Sequence, residues 1–222
     1  MTLPIFMTRK MKYPVGFAMF AIAYVLYRMT NHYPIFPLTY LPMTWLDNAI
    51  PLVPWTVLIY VSEYIFFTVV YLTCRDPENI NKYVYSFFAT QFFSCVIFFF
   101  WPTTYPRDQY PIPADTHPFL MAIWNWLRTT DAATNCFPSL HVSTVYLSAY
   151  IFLDEQREKF PFFFIWGTLI AFSTLPTKQH YAADVVAGWC LSIAAYWLFH
   201  RKIQYRKVGR AATDSATFDL AT

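Results

Sequence analysis

YVYSFFATQFFSCVIFFFW, residues 83–101, is a run of nineteen residues without a charge, long enough as a helix to cross roughly 30 Å of hydrocarbon. Five further apolar runs surround it, near 14–30, 54–74, 139–155, 160–175 and 181–199. The whole chain agrees with this pattern. Of its 222 residues 57% are hydrophobic, 22% aromatic and only 13% charged, too little polarity for a water-facing surface of that size. The fold expected is an all-α membrane bundle of six spans over residues 1–203. A tail over 204–222, rich in Ala, Thr, Ser and Asp, is expected to be cytoplasmic and disordered. The first run follows Arg9, Lys10 and Lys12, as a signal peptide would, but Arg28 and the lack of a small-residue cleavage site read as an uncleaved anchor. The proline-rich stretch between Tyr33 and Trp55 reads as a loop or interfacial segment.

Composition also excludes several chemistries. Four glycines cannot build a glycine-rich phosphate loop, and a net charge of +3 gives no nucleic-acid surface. Cys74, Cys95, Cys136 and Cys190 lie far apart, so no zinc cluster or disulfide framework is expected, and no cofactor. Twelve of the sixteen Lys and Arg residues fall at the chain ends and in the second and fourth loops, which places both termini in the cytoplasm. Arg28, Arg107, Arg128 and Lys178 remain for the outer face. No Asn-x-Ser/Thr sequon occurs, and a bacterial inner membrane with a periplasmic site is the location expected.

The polar chemistry collects in three outer segments: Trp101 to Arg107, Asn135 to His141, and Ser173 to Asp184. Ser139 after Pro138 is a helix N-cap signal, and free N–H groups at a helix start form an anion site. His180 and Asp184, four apart, share a helix face, so the carboxylate can orient the imidazole. His141 can give a proton to a departing alkoxide. Arg107 reads either as a bidentate phosphate fork or as a loop anchor beside Asp108, and Lys178 either as a second phosphate cation or as a snorkelling side chain. Together these groups suit phosphoryl transfer through a phosphohistidine. His32, His117 and His200 read as interfacial polar residues, and Arg128 as an interfacial anchor. Glu63, inside an apolar run, must face the bundle, either as partner to Gln91 or as a substrate contact.

Pro138-Ser139-Leu140-His141 resembles the Pro-Ser-x-His motif, and Ser173 to Asp184 the Ser-Arg-x5-His-x3-Asp motif, of the type 2 phosphatidic acid phosphatase superfamily. The resemblance implies His180 as nucleophile, Asp184 as its orienting group, His141 as general acid, and Ser139 with Leu140 at the phosphate. Two family cations are missing: the lysine of the first motif falls on Phe100 and the arginine of the third on Thr174. Those losses, Leu140 in place of the usual glycine, and His-Tyr-x-x-Asp-Val-x-Ala-Gly at 180–188 make the chain most similar to the inositol phosphorylceramide synthase and sphingomyelin synthase branch. The implied partners are a lipid phosphate and an alcohol acceptor such as inositol. Two rivals stand beside this reading. One is a degenerate member that binds lipid phosphate without turnover; the other is a membrane cytochrome with His141 and His180 as haem ligands.

Overall fold

The apolar stretch at 83–101 forms the C-terminal part of α5 (Pro77–Phe100). The helix starts earlier than hydropathy suggests because Asp76 caps it, accepting from Asn79 N at 3.0 Å, with Pro77 in the first turn. The computed structural model describes residues 1–207 and is mostly helical. Each of the six expected apolar runs is helical. They fold as α1 (Lys12–His32), α3 (Val57–Val61) continuing into α4 (Glu63–Thr73), α5, α7 (Leu140–Tyr150), α8 (Phe160–Ser173) and α9 (Ala182–Tyr196). Two more helices, the five-residue α2 (Trp45–Ala49) and α6 (Pro118–Thr130), lie in segments expected to be loops. Among the described residues three helices are long and apolar enough to cross a membrane: Pro54–Thr73, Pro77–Phe100 and Ala182–Lys202.

Burial runs opposite to that of a water-soluble domain. On α5 the buried side chains include Asn79, Asn81, Ser86, Thr90, Gln91 and Ser94, whereas Phe92, Phe93 and Phe100 are exposed. In water each exposed aromatic would forgo about 2 kcal/mol of burial. Facing hydrocarbon, the same residues sit in their preferred solvent, while inside Asn79, Asn81, Ser86 and Gln91 find backbone or side-chain partners on other residues.

α7 is the central helix. It packs against α4, α5, α8 and α9, and apart from His141 its residues are buried. Its apolar stretch, Leu140–Leu153, ends in a 3-10 turn and does not run on as one helix to Lys159. Enclosed by protein on all sides, α7 has no need to match the thickness of a bilayer.

Four short strands depart from the all-α expectation. β1 (Thr2–Ile5) pairs in parallel with β4 (Gln204–Lys207), so the segments before α1 and after α9 meet at one end of the bundle. The expected tail therefore opens with an ordered strand, and its remainder, 208–222, lies outside the described residues. At the other end β2 (Thr39–Tyr40) pairs with β3 (Thr103–Thr104) and ties the proline-rich segment beside the loop that precedes α7. Outside a helix these backbone groups still need partners, which the strand pairs supply.

Candidate active site

The site forms where α7 and α9 touch. Gly188, one turn beyond Asp184, permits the approach: a Cβ there would fall 2.5 Å from Ser139 O and 3.1 Å from Val142 Cβ. Ser139 N donates to Asp184 O at 3.2 Å, which locks the start of α7 to the first turn of α9. Ser139 Oγ accepts from Val142 N at 3.3 Å, so this side chain caps its own helix. Among the described residues no acceptor bonds Leu140 N or His141 N, which leaves two donors at the head of α7. The Leu140 side chain is buried against Cys95 and Phe98.

Asp184 is fully buried and accepts on Oδ2 from Tyr181 N at 2.9 Å and from His180 Nδ1 at 3.3 Å. Cys136 O lies 3.1 Å from the same Nδ1. With two acceptors on that nitrogen, the proton of the neutral ring belongs on Nδ1, and the lone pair is on Nε2. Nε2 faces His141 Nδ1 at 3.3 Å. On the far side of His141, Nε2 meets Glu63 Oε1 at 3.1 Å and Tyr60 Oη at 2.8 Å. Glu63 is 3% exposed, and its Oε2 has no partner among the described residues. The result is a line of four groups, Asp184, His180, His141 and Glu63, with a carboxylate at each end. Gln91, the other partner considered for Glu63, instead donates to Ala23 O and Cys95 Sγ.

Two expected phosphate cations are engaged elsewhere. Arg107 bonds not Asp108 but Asp131, through NH2 to Oδ2 at 3.0 Å and NH1 to the backbone O at 2.7 Å. Burial is the largest single influence and works against its charge, but Asp131 together with Cys136, Tyr60 and Tyr27 outweighs it and raises its pKa above the ordinary value. Asp131 Oδ1 also accepts from Tyr27 at 2.6 Å. Lys178 is 1% exposed, with a left-handed φ of 55°, and does not snorkel to the surface. Its ammonium donates to Asp47 O at 2.9 Å and to Ile50 O, and lies 4.6 Å from the centre of the Tyr110 ring. The Asp47 side chain accepts from Ala182 N at 2.7 Å, so α2 and Lys178 clamp the start of α9.

The other basic residues also find specific partners. His117 Nδ1 caps α6 by accepting from Phe119 N, and Arg128 donates to Tyr110 O. His32 contacts Arg28 and Thr130 O. His200 is buried, paired at 2.8 Å with Asp154, so it is not a free interfacial group. His141 and Glu63 line a cavity of about 570 Å³, whose mostly apolar wall comes from α1, α4, α5, α6 and α7.

The sequence profile of the PAP2 superfamily matches residues 35–198, most of the chain and all of the groups just described around His180. The chain belongs to the PAP2 superfamily. No curated protein matches it. PAP2 members are generally phosphatases, which supports an enzyme of that type acting on lipid phosphate.

Folding gathers one group that spacing alone did not suggest. Ligand atoms of Cys136, His180 and Asp184 lie within 4.8 Å of one another. They do not suit a metal ion. Burial, with Asp184 nearby, pushes the Cys136 thiol well above its usual range and keeps it protonated, and the His180 nitrogen concerned already faces two acceptors. Metal-free chemistry is open to this PAP2 site: an imidazole Nε2 that carries a lone pair, a second imidazole against it that can carry a proton, and two backbone donors at a helix start. Tyr60, Asp131 and Asp47 escaped the sequence reading. Only Asp47 left a signal, the Thr44-x-x-Asp47 capping box.

Proposed function

We propose that this chain is a six-span integral membrane lipid phosphotransferase or phosphatase that works through a phosphohistidine on His180. His180 Nε2 attacks phosphorus, and the His141 imidazolium, held by Glu63, protonates the departing oxygen. Neutral His141 then takes the proton of water or of an alcohol such as inositol, whose oxygen displaces His180. Asp184 fixes the tautomer throughout, and Leu140 N, His141 N and the α7 dipole stabilise the phosphoryl oxygens. The two rings now touch, so the phosphoryl group separates them as it binds.

The observation that carries this reading is the line Asp184–His180–His141–Glu63, with His141 and Glu63 facing an apolar cavity. A lipid can lay its chains in that cavity while its phosphate reaches the histidines. Leu140, Phe100 and the His180–Gly188 pattern favour head-group transfer of the inositol phosphorylceramide synthase type. The lack of an Asn-x-Ser/Thr sequon favours the inner membrane of a bacterium, and the charge distribution favours a periplasmic site with both termini cytoplasmic; the pairing of β1 with β4 supports a shared side for the segments before α1 and after α9.

A lipid-binding member without turnover is the second reading, favoured by the engagement of Arg107 and Lys178 with protein acceptors. The cytochrome reading fits poorly: the facing nitrogens are 3.3 Å apart, while two axial ligands of one iron need roughly 4 Å, twice a metal–nitrogen bond of about 2 Å. Lipid mass spectrometry of cells with and without the chain tests the proposal. A lipid phosphate or phosphodiester pool that shifts with wild type and not with His180→Ala supports it, and identical pools refute turnover.

A further inference from the structure

With Arg107 tied to Asp131 and Lys178 tied to α2, the phosphate needs another cation. Among the described residues Arg28 is the one Lys or Arg that lines the cavity shared with His141. It stands on α1 one residue after Tyr27, whose ring centre is 6.3 Å from that of His141. Its NH1 donates to Thr130 O at 2.5 Å and contacts His32 Nε2. Among the described residues its NH2 and Nε make no hydrogen bond, and no carboxylate pairs with it, in contrast to Arg107. The acids in the same cavity already have partners, Glu63 with His141 and Asp131 with Arg107.

We propose that Arg28 is the anion-binding cation of this site and takes the phosphate of the lipid through its NH2 and Nε donors. The proposal rests on the lipid-phosphate reading above and deepens it. NH2 and Nε form a planar fork of the kind that grips two phosphate oxygens, while the NH1 bond to Thr130 fixes the guanidinium in place. The cation comes from α1, outside the matched motifs, which accounts for a site that lacks the cations at positions 100 and 174.

Purified full-length protein in neutral detergent tests it by binding. The probes are dioctanoyl phosphatidate, dioctanoylglycerol as the chain-matched neutral lipid, and inorganic phosphate, read by the shift in Tm and by titration. Phosphatidate should bind wild type more tightly than dioctanoylglycerol. Arg28→Ala should weaken phosphatidate by about tenfold or more, the scale of a lost charge-assisted pair, and leave dioctanoylglycerol unchanged. Arg28→Lys should fall between, since it keeps the charge and loses the fork; it also serves if the alanine variant folds poorly. A weaker inorganic phosphate complex in Arg28→Ala would mean that the site reads the phosphate itself, and an effect on the lipid alone that chains and phosphate bind together. Unchanged phosphatidate affinity in both variants overturns the proposal and leaves Arg28 as a snorkelling anchor. If wild type does not distinguish phosphatidate from dioctanoylglycerol, the lipid-phosphate reading fails, and this proposal with it.

Discussion

His141 Nε2 lies 3.1 Å from Glu63 Oε1, a contact between a histidine at the head of α7 and a buried carboxylate that opens α4. A carboxylate in this position stabilises the imidazolium, and with it the form of His141 that can protonate a leaving group.

Glu63→Gln keeps the size and a hydrogen bond but removes the charge. We expect kcat to fall by about 10²-fold, the usual scale of general acid catalysis, with KM little changed. Steady-state kinetics against a lipid phosphate checks this. A rise in KM alone would make Glu63 a substrate contact.

Gly188→Ala places a methyl group against the Ser139 carbonyl, where backbone cannot yield cheaply. The overpacking should cost about 1–3 kcal/mol and pull α9 from α7. Activity should be lost out of proportion to the fall in Tm, because a misplacement of about 1 Å in a reacting group can cost 10²-fold. Parallel thermal melts and turnover assays on the variant decide it.

Lys178 carries a different expectation from the one its sequence position suggested. Its ammonium holds the carbonyls of Asp47 and Ile50, so Lys178→Met should lower stability by about 3 kcal/mol through the loss of buried charge-assisted bonds. The fall in Tm should be matched by Asp47→Ala, which uncaps α9. A Lys178→Met protein that melts like wild type and has lost only turnover would return Lys178 to the phosphate.

Much of this arrangement was legible in the sequence because it is local or periodic. The apolar runs gave the helices, and the spacing of His180 and Asp184 pointed to their contact, although His180 precedes α9, which begins at Ala182, so the contact comes from the capping turn and not from a shared helix face. Long-range partners were not legible. Nothing near Arg107 points to Asp131, 24 residues on, and the choice of Asp108 followed adjacency that the 3-10 turn at Arg107–Gln109 does not honour. Glu63 stood out as a charge in an apolar run, yet its partner lies far along the chain on α7. α6 escaped because its amphipathic face, with Trp124 and Leu127 buried and Phe119 and Trp126 exposed, is too short and mixed to read as a span. The paired strands β1 and β4 carry no hydropathy signal.

The central claim is that His180 Nε2 becomes phosphorylated, and the most direct measurement is acid-quench trapping with a radiolabelled lipid phosphate followed by peptide mapping. The account predicts acid-labile, base-stable label on the peptide containing His180, absent from His180→Ala and built up in His141→Ala when the leaving group is good enough to depart without a proton. Label on another residue, or full turnover in His180→Ala, would contradict it.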